Sequence, residues 1–488
     1  MRFLLVPLLV LCILFPAFAA SEYEQWVESE QQSYQSFREK RDKAFSSYLQ
    51  KQWETFTVFA GQVRDDTPKP DVVPTAPDMP TKKPSVPPPP PEPAPKEPTA
   101  KPEPEPTPDE VPEPPLTMKQ EGLPVTFLGH ELHFPVNEAW KELTLTRTDN
   151  QGVSDFWKQL AGLDVNQVVQ SLTKAKQELQ LNGWGYLRLL ASLAEKLYGP
   201  SQEALLTTWG LMLKSGYDIR VGLSGDSLYL LFPASQKIYE RSYFTLDGQR
   251  YYLFTFADPG RVGSLATYKD NYQGAGEALD IALEQRPRTD REVQERTIDF
   301  TYLGEDYSVT APVNETLIGF MDEMPQLGLE HYFSGRPASR FEQRMVRELK
   351  RYIAGMDTTE QVNFLLHFVQ TAFEYQRDKD QFHREKYLYP EETAYYPASD
   401  CEDRSVFFAW LVREIPGLKV IGLDYPGHVA TAVALDEDVQ GASIRYQGRK
   451  YTIADPTYKH AEVGMVIPRY KDKQPEIIEQ GYKQTAAR

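Results

Sequence analysis

The chain has 488 residues and a formal net charge of −17, which argues against nucleic acid as a partner and for a self-repelling protein. That length exceeds one hydrophobic core and predicts two or three folded units. Of the 39 prolines, 21 fall between Pro68 and Pro115, so a good part of the chain has little apolar surface to bury.

Residues 1–19 read as a secretory signal: a charged start at Arg2, an apolar core from Phe3 to Phe15, and Ala17-Phe18-Ala19 as a small-residue cleavage site. The apolar run is shorter than the roughly 20 residues of a spanning helix. A bulky Leu11 before Cys12 argues against lipoprotein processing. The expectation is an exported protein, periplasmic or extracellular, with no transmembrane segment after cleavage. Loss of Cys12 would leave Cys401 as the single thiol, in an oxidising compartment where most cysteines are paired or avoided.

Residues 20–66 predict a helix. Tyr23 and Trp26, Tyr34 and Phe37, Phe45 and Tyr48, and Phe56 and Phe59 form aromatic pairs that recur every eleven residues. Eleven residues are close to three helical turns, which keeps the pairs on one stripe. That stripe needs cover, either from the protein's own units or, through residues 21–63, from a second copy or an envelope partner. Residues 67–118, rich in Pro, Glu, Lys, Thr and Ala, predict an extended polyproline linker.

Beyond the linker, landmarks recur in the same order. Thr126-Phe127-Leu128-Gly129 and Pro135-Val136-Asn137-Glu138 match Thr301-Tyr302-Leu303-Gly304 and Pro312-Val313-Asn314-Glu315. Each copy reads as a hairpin with Gly at its turn, entering a helix through Asn-Glu. Gly222-Leu223 and Gly422-Leu423 mark later equivalent strands, and Asp247-Gly248 sits 200 residues before Gln447-Gly448. The pattern predicts an internal duplication: residues 119–290 as a non-catalytic α+β copy and residues 291–488 as the catalytic one. On the register of the later glycines Ser201 falls opposite Cys401, and Asp258 echoes Asp455 after a three-residue shift. The second copy is longer, and the extra length is placed in Gln376 to Ser399, where Tyr387, Tyr389, Tyr395 and Tyr396 could line a substrate cleft.

In the second copy, Arg340 to Ala354 and Thr358 to Phe373 show helical spacing, with Thr358 as a start cap; His367 is read as packing. Ser399 and Asp400 are good cap residues for a helix from Cys401 to Glu414. A cysteine in a first helical turn meets unpaired backbone N–H groups and the positive end of the helix dipole, both of which favour thiolate. Glu402 and Asp403 oppose this, so an imidazole is required. His428, 27 residues on, opens an apolar strand to Leu435, and Asp455, another 27 on, ends a strand from Tyr446. Adjacent antiparallel strands would set His428 beside Asp455, with Cys401 as nucleophile, His428 as base and Asp455 as orienting acid. The Cys401 N–H, with Tyr395 or Tyr396, would bind the oxyanion. One Cys, one His and one Asp offer no fourth ligand and no short ligand spacing, so no metal or cofactor is expected.

Asp400-Cys401-Glu402-Asp403, Gly427-His428-Val429 and Asp455-Pro456-Thr457-Tyr458 resemble the three motifs of the transglutaminase-like superfamily of papain-type cysteine enzymes, over roughly Val362 to Tyr470. The resemblance implies an α+β fold with the catalytic Cys at a helix start packed on an antiparallel sheet. It carries the three roles onto Cys401, His428 and Asp455. The expected activity is cleavage of a peptide or isopeptide bond of a protein or peptide substrate through a thioester, ahead of cross-linking. The alternative is an idle envelope scaffold of the same fold.

Overall fold

The computed structural model describes residues 15–51, 53–64, 67–77, 121–257, 260–290, 292–435 and 439–479. Most of the expected signal segment, residues 78–118 of the expected linker, and Asp258 lie outside the described residues. No helix among the described residues is long and apolar enough to cross a membrane.

Helix α1 (Phe15–Leu49) opens the described chain. The helix expected over 20–66 stops at Leu49 for two reasons. The Asn150 side-chain amide donates to the carbonyls of Gln50 and Lys51 at 3.1 and 3.0 Å, and the β-branched and aromatic run that follows pairs as strand β1 (Glu54–Thr57). Phe56 and Phe59 therefore leave the aromatic stripe. Phe45 packs against Trp157 and Tyr272, with ring centroids 5.0 and 5.4 Å away, and Asp42 accepts from the Tyr272 hydroxyl at 2.6 Å. Further toward the N-terminus Trp26, Tyr34 and Phe37 are exposed by 58, 60 and 53 %. The protein's own first unit thus covers only the C-terminal part of the stripe.

That first unit begins with the hairpin β2 (Leu123–Phe127) and β3 (His130–Phe134). Helices α2 (Asn150–Ala161), α3 (Val165–Glu178), α4 (Gly183–Tyr198) and α5 (Gln202–Lys214) follow. A sheet closes it: β4 (Arg220–Ser224), β5 (Ser227–Phe232), β6 (Tyr243–Leu246), β7 (Gln249–Phe254) and β8 (Ser264–Thr267). The order is β1-β8-β4-β5-β7-β6, so α1's continuation supplies an edge strand.

The second unit begins with the hairpin β9 (Gln294–Tyr302) and β10 (Glu305–Val313). Both hairpins turn on a Leu-Gly pair with positive φ at each residue, Leu128-Gly129 and Leu303-Gly304, the geometry that matches strand twist in two-residue loops. Then come α6 (Glu315–Asp322), α7 (Leu329–Ser334), α8 (Ser339–Ile353) and α9 (Thr358–Ala372). The start of α9 is capped by Asp357 rather than Thr358, because Asp357 accepts from the Glu360 N–H at 2.8 Å while Glu360 reaches back to the Asp357 N–H. Strand β11 (Glu374–Tyr375), α10 (Asp378–Gln381), α11 (Pro390–Tyr395) and β12 (Ala398–Ser399) lead into α12 (Cys401–Glu414). The closing sheet contains β13 (Val420–Tyr425), β14 (His428–Val433), β15 (Ser443–Tyr446), β16 (Arg449–Ala454) and β17 (Glu476–Ile478), ordered β15-β16-β14-β13-β17. The single strand expected from Tyr446 is a hairpin, turning at Gln447-Gly448 with positive φ at both.

Every pairing in both sheets is antiparallel, and the molecule is α+β. Read from β8 and from β17, the series β8-β4-β5-β7-β6 and β17-β13-β14-β16-β15 run in the same order. Each sheet is backed by the helix that precedes it, with Trp209 of α5 and Trp410 of α12 buried. Arg286, from the segment between the units, makes a bidentate pair with Glu391 of α11, 2.9 Å at each oxygen.

Candidate active site

Helix α12 starts at Cys401, as its cap residues predict. Asp400 stands before it, and the Asp403 carboxylate accepts from the Asp400 N–H at 3.2 Å. One turn along, Ser405 donates to the carbonyl of Val429 at 3.0 Å, which pins the first turn of α12 to the start of β14, where His428 stands. On the other side β14 pairs with β16, Thr431 opposite Ala454, and Asp455 follows at the strand's end. His428 Nε2 and Asp455 Oδ2 are 2.9 Å apart, both residues buried. The other Asp455 oxygen accepts from the N–H groups of Thr457 and Tyr458 at 2.9 and 3.3 Å, so the turn after Pro456 fixes the carboxylate. With Nε2 engaged, Nδ1 of His428 is buried without a hydrogen-bond partner among the described residues. Tyr470 stacks on the imidazole at 5.0 Å. Its hydroxyl is pushed up by burial, and Cys401 and Asp455 add to that shift.

The thiol is in an unexpected state. Cys401 is wholly buried and its Sγ donates to Glu402 Oε2 at 2.8 Å. Burial, then Glu402 and Asp400, push its pKa well above the ordinary thiol value, so the helix-start contribution is outweighed. The carboxylates around it are also pushed up: Asp400 to about 7 by burial and Glu402, Asp403 to about 8 by burial and Asp400, and Asp378 well above its usual range by burial and Asp400.

A lysine answers them. Lys69, from the stretch expected to be linker, lies 2.6 Å from Asp400, 3.0 Å from Glu385, 3.1 Å from Glu402 and 3.6 Å from Asp378. Among the described residues, Asp400, Cys401 and Glu402, and separately Asp378, Asp400 and Asp403, bring ligand-type atoms within 4.8 Å of one another. The lysine ammonium already answers the charge of the first group.

The tyrosines sort differently from the expectation. Tyr396 packs its ring on Phe382 and on Tyr395, 5.0 Å from each, and Arg296 holds the Tyr396 carbonyl at 2.8 Å. Neither hydroxyl has a described contact with Cys401. Tyr389 is buried and stacked 4.5 Å from Tyr332, part of the wall, whereas Tyr387, also largely buried, lines a cavity with Lys69, Glu385 and Glu402 as expected of a cleft residue. A second phenol that feels the thiol, besides Tyr470, is Tyr375, whose strand β11 pairs in parallel with β12 so that Tyr375 lies opposite Ser399. Its hydroxyl is buried without a partner among the described residues, and burial, then Cys401 and Asp400, push it far up. It is held by Arg404, whose guanidinium sits 5.5 Å over the ring and donates to the Phe373 carbonyl at 2.7 Å. No local signal marks Tyr375, because a two-residue parallel pairing carries no sequence pattern. His367 is packing as expected, its pKa lowered to about 4 by burial and then by His460.

At the start of α5, in the first unit, there is no thiol. Ser201 caps α5, accepting from the Ala204 N–H at 3.2 Å. Helix α5 starts at Gln202, one residue after Ser201, whereas α12 starts on the thiol itself. Compared with family models, with curated proteins and with solved structures, the chain has no significant match.

Proposed function

We propose that the second unit is an exported cysteine-dependent acyl-transfer enzyme of transglutaminase-like type that hydrolyses peptide or isopeptide bonds of a protein substrate. The carrying observation is the His428–Asp455 pair at 2.9 Å on a strand to which the first turn of the Cys401 helix is bonded, Ser405 donating to the Val429 carbonyl at 3.0 Å. In this reading Nδ1 of His428 takes the Cys401 proton as sulfur attacks the carbonyl carbon, and returns it to the leaving amine. Water, deprotonated by the same nitrogen, then cleaves the thioester. Asp455 holds the tautomer with hydrogen on Nε2 and steadies the imidazolium. The Cys401 N–H and the Tyr375 hydroxyl are the two oxyanion donors. The shared strand order of the two sheets supports descent of both units from one ancestor by duplication, the first having lost the chemistry.

A second reading, a catalytically idle scaffold, is favoured by one observation: the Cys401 sulfur is hydrogen-bonded to Glu402 and closed to solvent. The two readings part in cells that carry the wild type, Cys401→Ala or His428→Ala, supplied with a labelled primary amine. Mass spectrometry of the envelope fraction is expected to show the same uncut protein accumulating in both variants, without label. Label incorporation that needs Cys401 would replace hydrolysis by transfer, and no Cys401-dependent change at all would leave the scaffold.

A further inference from the structure

Arg64 and residues 67–76 cross the candidate cleft as a strap. At one end the Arg64 guanidinium pairs with Asp424 of β13. In the middle, a Cβ added to Gly427 (φ +70°) would lie 2.8 Å from the Pro68 carbonyl oxygen, so the chain passes directly over the residue that precedes His428. Next, Lys69 drops between Asp400, Glu402, Glu385 and Asp378, against the other wall of the site. Asp71 pairs with Arg377, and the far end is tied by the Ala76 N–H to the Lys459 carbonyl at 2.8 Å and the Lys459 N–H to the Pro74 carbonyl at 3.0 Å. The strap thus spans from the His428 side to the Cys401 side of the cleft.

Its chemistry is that of an occupant rather than a core element. Prolines at 68, 70 and 74 preset an extended backbone and remove N–H donors, so the strap docks with little entropic loss but few ladder bonds. Asp71 and Val72 are exposed by 77 and 78 %. Beside Lys69 a cavity of about 290 Å³, lined by Arg64, Pro68, Glu385 and Glu402 among others, gives the side chain room to withdraw. The buried Oδ1 atoms of Asp400 and Asp378 have no hydrogen-bond partner among the described residues, so the subsite holds more acceptors than the lysine satisfies. The strap is fed from the first unit, where Phe59 and Gln62 pair with Tyr243 and Glu240 through backbone hydrogen bonds of 2.7 to 3.0 Å.

We propose that Arg64 and residues 67–76 form an autoinhibitory strap, anchored by the thiol-free unit, whose Lys69 plugs an acidic ammonium subsite beside Cys401 and must be displaced before a substrate polypeptide can enter. This rests on the acyl-transfer reading for its consequence, whereas the closure itself is a matter of access to sulfur. The subsite is one that takes a lysine side chain, so a competing polypeptide displaces the strap best with an ammonium of its own.

The test uses the full chain and iodoacetamide. The double variant Arg64→Ala/Asp71→Ala removes two anchors without touching Cys401, His428, Asp455 or Lys69. Alkylation of Cys401 is expected to run about tenfold faster than in the wild type, the worth of two partly exposed ion pairs. A synthetic peptide copying residues 64–76 is expected to restore slow alkylation to the double variant, and the same peptide with Lys69→Met is not. Equal rates in the wild type and the double variant, with circular dichroism showing both folded, would overturn the strap. Equal protection by the two peptides would overturn the ammonium subsite. Alkylation requires no turnover, so a protein that opens as described but yields no Cys401-dependent product would refute the enzyme and leave the strap standing.

Discussion

In the first unit α5 lies on the sheet β8-β4-β5-β7-β6 with Trp209 fully buried and Ser201 capping its start. In the second, α12 lies on β17-β13-β14-β16-β15 with Trp410 buried and a thiol, an imidazole and several carboxylates around its start. The difference teaches that the core of this architecture is independent of the chemistry at its rim. Helix-on-sheet packing is a matter of apolar area and holds either way. Buried carboxylates at a helix start instead cost desolvation energy. Among the described residues, groups of three ligand-type atoms occur only in the second unit.

The comparison can be broken most decisively by activity. Once a substrate is in hand, Cys401→Ala and His428→Ala should each lower turnover on the order of 10⁴-fold or more. Ser201→Ala should leave turnover unchanged and cost only about 1 kcal/mol of stability through its lost cap. Comparable losses at Ser201 and Cys401 would mean that the two units work together. A smaller effect sharpens the oxyanion assignment: Tyr375→Phe should lower kcat by about 10² to 10³ with little change in KM, and a wild-type kcat would return Tyr375 to packing. The N-terminal helix offers a stability contrast. Phe45→Ala, in the covered part of the stripe, should cost about 3–5 kcal/mol in urea unfolding, whereas Trp26→Ala should stay within about 0.5 kcal/mol. A Trp26 effect as large as that of Phe45 would show that the exposed half is covered in solution.

The smallest expected effect separates the units by pH. Asp378, Asp400 and Asp403 have folded pKa values raised above the ordinary carboxylate range, so the folded state binds protons that the unfolded chain gives up. Their contribution to stability is full at low pH and is lost as pH rises through about 7 to 8. The urea midpoint of the second unit should therefore fall between about pH 5 and pH 8, and less so in Asp378→Asn, where the amide nitrogen can occupy the place of the unpartnered oxygen. A flat profile in the wild type would mean that these carboxylates are ionised and paired throughout.

Much of the site was legible in the chain because its parts are made locally. Asp400 and the apolar spacing behind it predicted α12 from Cys401 to Glu414, and those are its bounds. Asn314 before Glu315 predicted a helix start, and its side chain accepts from the Leu317 N–H at 2.7 Å. What escaped was made by contacts between distant segments. Lys69 meets Asp400 across 331 positions, and a proline-rich composition reports stiffness and solubility, not where the segment docks. The end of α1 escaped for a related reason: the residues after Leu49 gain more from pairing with β8 and from the Asn150 amide than from continuing an isolated helix.

The sequence by itself determined the turns, the caps and the two periodicities, because each depends on residues a few positions apart. It therefore determined where the thiol, the imidazole and the carboxylate sit on their elements. Only the tertiary structure decided how those groups are charged and whether they can be reached, since a thiol's ionisation depends on burial and on carboxylates from several segments. The same helix start that favours a thiolate in isolation here holds a fully buried Cys401 whose pKa is pushed well above the ordinary thiol value. Desolvation and neighbouring charge outweigh the helix end.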